Sequence, residues 1–141
     1  MPRLDAERID LWRRLGVAVD AIRRDADAAI AEVDGVSLAW FEVLAALRDA
    51  GGVMRAGDLA ERLGELPSTL SHRLARMAED GLVERVGSST DRRTIDVRLT
   101  SEGRAVWRDA NVTYRRAVQA HFARHLTDTD VAALQRILGK L

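Results

Sequence analysis

No cysteine occurs anywhere in the 141-residue chain. That excludes disulfide scaffolds, cysteine-ligated zinc and thiol redox sensing. Aromatic residues are scarce, at 4%. Much of the 47% apolar content is alanine and leucine, a mixture that favours helices over sheet. Neither sign of charge dominates: 22 basic residues balance 22 acidic ones. A neutral chain does not advertise a nucleic-acid partner, but the distribution of charge matters more than its sum. No apolar run reaches transmembrane length, and the first residues lack the apolar heart of a signal peptide. A cytoplasmic chain with no membrane partner is therefore expected. No internal repeat is visible. No phosphate loop, nucleophile elbow or carboxylate pair points to catalysis, so neither an enzyme nor a cofactor is expected.

What is present is helical periodicity, broken once. Leu11, Leu15, Val19, Ile22, Ala26, Ile30 and Val33 recur at spacings of three and four and predict one long helix over 5–33. Gly35 stops it and Ser37 can cap the next helix, 38–50, with Leu38, Phe41, Leu44, Ala45 and Leu47 turned inward. Residues 53–55 read as a short extended link, followed by small helices over 57–64 and 67–80, the second opened by Pro67 and stopped by Gly81. The period then changes to two. Two short strands, 82–86 and 94–100, flank a loop over 87–93 that is too long for a tight hairpin turn. Ser101 is expected to cap a helix running to about 125, and Thr127 with Asp130 to start a last one.

Two short helices across a tight turn, followed by a two-stranded flap, make a winged helix-turn-helix. The fold class expected is mainly α with a small β-wing. Residues 1–36 form an N-terminal dimerisation helix, 37–100 the DNA-binding domain, and 101–141 C-terminal dimerisation helices. The terminal helices carry more apolar surface than the central domain can cover, and a second copy of the chain is the economical partner.

The helix at 67–80 is amphipathic. Leu70, Leu74 and Met77 share one side, while Ser68, Thr69, His72, Arg76 and Glu79 face away, flanked by Ser71 and Arg73. Small, hydrogen-bonding side chains at the start of such a helix suit entry into the major groove. The same pattern serves an ordinary surface helix, and Glu79 counts against DNA contact at its far end. Asp91, Arg92 and Arg93 stand in the loop of the flap. A flap beside a major-groove helix lands on the adjoining minor groove, whose narrow A·T-rich stretches attract arginine. Arg93 suits insertion, Arg92 the backbone, and Asp91 an internal pairing that holds the loop. The DNA-binding candidates are thus Ser68, Thr69, Ser71, His72, Arg73, Arg76, Asp91, Arg92 and Arg93.

Two smaller features invite a site. Trp12, Trp40, Phe41, Trp107 and Tyr114 either fill the core, the commoner use of isolated aromatics, or line a pocket for an aromatic or lipophilic effector. His121 and His125 stand one helical turn apart, a spacing that can hold zinc, but without further ligands no metal site is expected.

The stretch 81–104, GLVERVGSSTDRRTIDVRLTSEGR, resembles the wing of the MarR family of bacterial transcription regulators, with Gly81, Leu82, Val83, Arg85, Asp91, Arg92, Arg93, Leu99, Thr100 and Gly103 matching. Residues 68–81, 38–52 and 126–141 are similar to that family's recognition, second and closing helices. The resemblance implies a homodimer with interleaved terminal helices. It also implies a near-palindromic operator in double-stranded DNA and release by small, often phenolic ligands. Ser88-Ser89 replace a frequent Asp-Pro of the family's wing. The function expected is a DNA-binding repressor. The alternatives are a ligand-independent regulator and a winged-helix module for protein contacts without DNA binding.

Overall fold

A computed structural model describes residues 4–87 and 94–141. Helix α1 spans Ala6–Asp34, α2 Leu38–Asp49, α3 Ala56–Leu63, α4 Pro67–Glu79, α5 Ser101–His121 and α6 Asp128–Leu138. Strands β1 Val53–Arg55, β2 Val83–Gly87 and β3 Ile95–Leu99 form one antiparallel sheet in the order β1-β3-β2. The fold is the mainly helical winged helix expected.

Local chemistry explains most boundaries. Gly35 closes α1 at φ 72°, where a side chain is strained. Ser37 caps α2 by accepting from the Trp40 amide, and Asp27 of α1 accepts from the Leu38 amide at 2.7 Å. Thr127 and Asp130 complete a reciprocal capping box at α6. The Thr127 amide, which donates to the Asp130 carboxylate, and with it the Thr127 side chain, hold the Asp130 carboxyl below its ordinary pKa.

Three expectations need correction. The link at 53–55 is a strand, because β3 offers it a free edge: Met54 stands opposite Val97, and the Leu99 amide donates to the Gly52 carbonyl at 2.8 Å. Thr100, not Ser101, caps α5. Its hydroxyl accepts from the Gly103 amide and donates to the Gly81 carbonyl at 2.6 Å, a double use that Ser101 is one residue too late to make. Helix α5 ends at His121, and Ala123–His125 continue as a 3₁₀ turn, since Phe122 departs from helical dihedrals.

The main core joins α2, α3, α4 and the sheet, with Leu44, Leu47, Leu59, Leu70, Leu74, Met77, Val83 and Val97 almost wholly buried. Each of the leucines contributes about 1.5–3 kcal/mol by leaving water. A smaller cluster of Ile30, Leu38, Phe41 and Ala110 fastens α1 and α5 to this domain. The predicted stripe of α1 is buried only at Ala26 and Ile30, while Leu11, Leu15, Val19 and Val33 stay exposed. Helix α6 has no buried residue.

The junction between wing and α5 is tight. A Cβ on Gly103 would stand 2.0 Å from the Leu82 carbonyl oxygen, with the Leu99 side chain at 2.9 Å. Backbone cannot yield there as a side-chain tip can. Gly103→Ala is expected to destabilise the fold by roughly 3 kcal/mol, read as a lower urea midpoint with an unchanged slope. An unshifted midpoint would show that α5 is free to slide away from Leu82.

Candidate nucleic-acid interface

Helix α4 begins without a side-chain cap. Leu66 occupies the N-cap position and Pro67, lacking an N–H, the first helical one. Leu70, Leu74 and Met77 sink into the core, which fixes the rotation of α4 about its axis. Ser68, Thr69, Ser71, His72 and Arg76 are consequently exposed together on the other side. Glu79 is exposed at the far end.

Arg73 differs. It is half-buried, and its guanidinium donates to Glu65 at 2.6 Å. Sequence inspection missed Glu65, which lies in the turn between α3 and α4. The two residues are eight apart across that turn, and helical spacing alone does not bring them together. Asp91, Arg92 and Arg93 lie outside the described residues, between the paired ends of β2 and β3 at Gly87 and Ile95.

The aromatic candidates divide. Phe41 and Tyr114 stack at 4.8 Å between centroids, and with Trp107 they wall a cleft of about 500 Å³ between α2, α3 and α5. The Arg48 guanidinium lies 4.3 Å from the Trp107 ring centroid, and Asp49 on the same rim pairs with Arg48 and Arg62. Arg115, Asn111 and Glu42 complete the polar edge. Glu42 also binds Arg23 of α1, and that hydrogen bond raises the Arg23 pKa above its ordinary value. Trp40 is half-buried against the main core instead, and Trp12 stands 74% exposed on α1, so neither lines the cleft. The end of α5 separates the two histidines from regular helical spacing. His121 stands 3.6 Å from Asp25, and among the described residues no group of three or more metal-ligating side chains converges. No described helix is long and apolar enough to cross a membrane.

The family model described as "MarR family" matches residues 34–94. The transcriptional repressor MdtR of Bacillus subtilis is 31% identical over 110 residues, spanning 78% of this chain and 70% of that protein. This chain belongs to the MarR family. Two solved structures place its fold within that family's known architecture. Sco3205, a MarR family transcriptional regulator from Streptomyces coelicolor in complex with DNA, is 27% identical with a TM-score of 0.87, over 98% of this chain and 88% of that one. A mutant MarR from E. coli complexed with operator DNA is 26% identical with a TM-score of 0.83, over 99% of this chain and 98% of that one. These MarR-family relatives are regulators of transcription, not enzymes.

Proposed function

We propose that this protein is a homodimeric, sequence-specific DNA-binding repressor that a small aromatic or lipophilic ligand releases from a near-palindromic operator. The observation that carries this reading is the face of α4. Its uncharged donors and acceptors stand exposed at the start of a helix whose opposite side is locked in the core. The Sco3205 and MarR complexes with DNA support it by kinship. Residues 37–100 read DNA, 1–36 and 101–141 join two copies, and the protein works in the cytoplasm. Ser68 and Thr69 meet the backbone where α4 enters the groove, and His72 and Ser71 meet base edges. Arg76 contacts phosphate further along. On the wing, Arg93 enters the minor groove and Arg92 touches its backbone, with Asp91 shaping the loop.

The dimer follows from the apolar surface left uncovered in one chain. Leu4, Leu11, Trp12 and Leu15 of the amino-terminal arm, and Val131, Ile137, Leu138 and Leu141 at the other end, are exposed. Large apolar side chains left exposed at both ends of the chain suit an association site, and two-fold pairing covers both ends at once. Sedimentation at micromolar concentration is expected to give about twice the mass of one chain. A single-chain mass would remove the basis for a near-palindromic operator.

Helix and wing are expected to fail differently when altered. His72→Ala costs about 1–3 kcal/mol on the preferred operator and much less on unrelated DNA. Arg93→Ala weakens specific and non-specific binding alike and lowers the salt slope by about one for each phosphate lost. Titrations on operator and scrambled duplex across a salt series check both. A protein that binds no duplex under any salt would be a protein-contact module instead.

The cleft beside Phe41, Trp107 and Tyr114 is the place for a ligand, since aromatic walls with a charged rim suit a small aromatic acid. A ligand can shift DNA affinity only by its differential affinity for two conformations, commonly about 5–150-fold. A panel of phenolic acids and other lipophilic aromatics is expected to contain one that releases the operator, and Tyr114→Ala is expected to blunt that release. If the panel is inert, the protein is a ligand-independent regulator.

A further inference from the structure

The turn that presents α4 is unusual in what holds it. Gly64 turns the chain at φ 66°, and the Glu65 amide closes the end of α3 by donating to the Ala60 carbonyl. The next residues offer α4 no side-chain cap. Such a cap ordinarily satisfies one of the free amides at the start of a helix and stabilises it. Here the link from turn to helix is made further along, by Glu65 to Arg73 in the second turn of α4. With side chains 16% and 27% exposed, it is the least exposed of the ion pairs among the described residues. The other pairs lie on surfaces where solvent screens them and they contribute little. A half-buried pair behaves differently, because removing one partner leaves the other charged and uncompensated.

The position of Arg73 gives the pair its consequence. Arg73 is adjacent to His72 and Ser71, both exposed on the outer face. A free guanidinium there would reach phosphate on any sequence, and phosphate contact is the source of non-specific affinity. Bound to Glu65, the same guanidinium is neutralised and turned inward.

We infer that Glu65 is a positioning residue that fixes the start of α4 and withholds Arg73 from DNA phosphate, leaving operator preference to the uncharged face around His72. The inference rests on the DNA-binding reading above. It departs from the expectation that Arg73 itself contacts DNA.

The test uses the full chain, the operator duplex recovered by selection from genomic fragments, and a scrambled duplex of equal length and composition. Binding is measured by anisotropy across a salt series. Glu65→Gln keeps the shape and removes the charge. It is expected to tighten binding to the scrambled duplex several-fold at low salt, to steepen the salt slope by about one, and to lower the ratio of operator to scrambled affinity. The paired change Glu65→Leu with Arg73→Met replaces the ion pair by apolar contact, which preserves folding in comparable sites. It is expected to keep the parent slope, because Arg73 contributes no phosphate contact in the parent. A slope lowered by about one in the paired variant would mean that Arg73 already touches phosphate, and would overturn the inference. So would Glu65→Gln with the slope and ratio of the parent. The two readings separate cleanly: if the parent prefers its operator and His72→Ala lowers that preference, only the role of Glu65 is at stake in these variants. A parent that binds neither duplex overturns both.

Discussion

The burial of Leu70, Leu74 and Met77 against α2, α3 and the sheet is the constraint on which the interface depends. A helix of this length has no intrinsic preferred rotation, and tertiary packing chooses it. Turning α4 by one residue, about 100°, would carry His72 toward the core and Leu70 into water. The core therefore selects which side chains are offered outward. The close approach of Gly103 to Leu82 and the double hydrogen bond of Thr100 then seat the sheet against α5 and join it to the end of the turn that follows α4.

That unit is tied to α1 by a smaller set of contacts. Asp27 reaches from α1 to the first amide of α2, and Arg23 reaches to Glu42. Ile30 packs with Leu38, Phe41 and Ala110. Of these attachments, Phe41 and Glu42 also line the cleft shared with Trp107 and Tyr114.

Charge is distributed with the same economy. Between residues 53 and 100 the arginines are matched in number by acidic residues, and Glu65 with Arg73 shows one reason why. An acid placed at a turn can orient a helix and quiet a cation in a single contact. A neutral domain is thereby compatible with the reading of base edges, which depends on hydrogen-bond geometry more than on net charge.

The sequence by itself determined the order of the six helices and the two wing strands, the outward face of α4, the caps at Ser37 and Thr127 and the stop at Gly35. Each of these is set by residues within one turn or one strand of each other, where periodicity and capping chemistry act directly. It also carried the wing motif in 81–104 on which the family resemblance rested. Only the tertiary structure decided what lies across elements. The stretch 53–55 became a strand because β3 presented an open edge, and Thr100 rather than Ser101 became the cap because Gly81 lay within reach of its hydroxyl. Three of five scattered aromatics met at one cleft, while Trp12 was left on an uncovered helix. Arg73 found Glu65 around a turn. Periodicity specifies the faces of a single element, but partners at irregular separation depend on how elements pack, and that is settled only when the core closes.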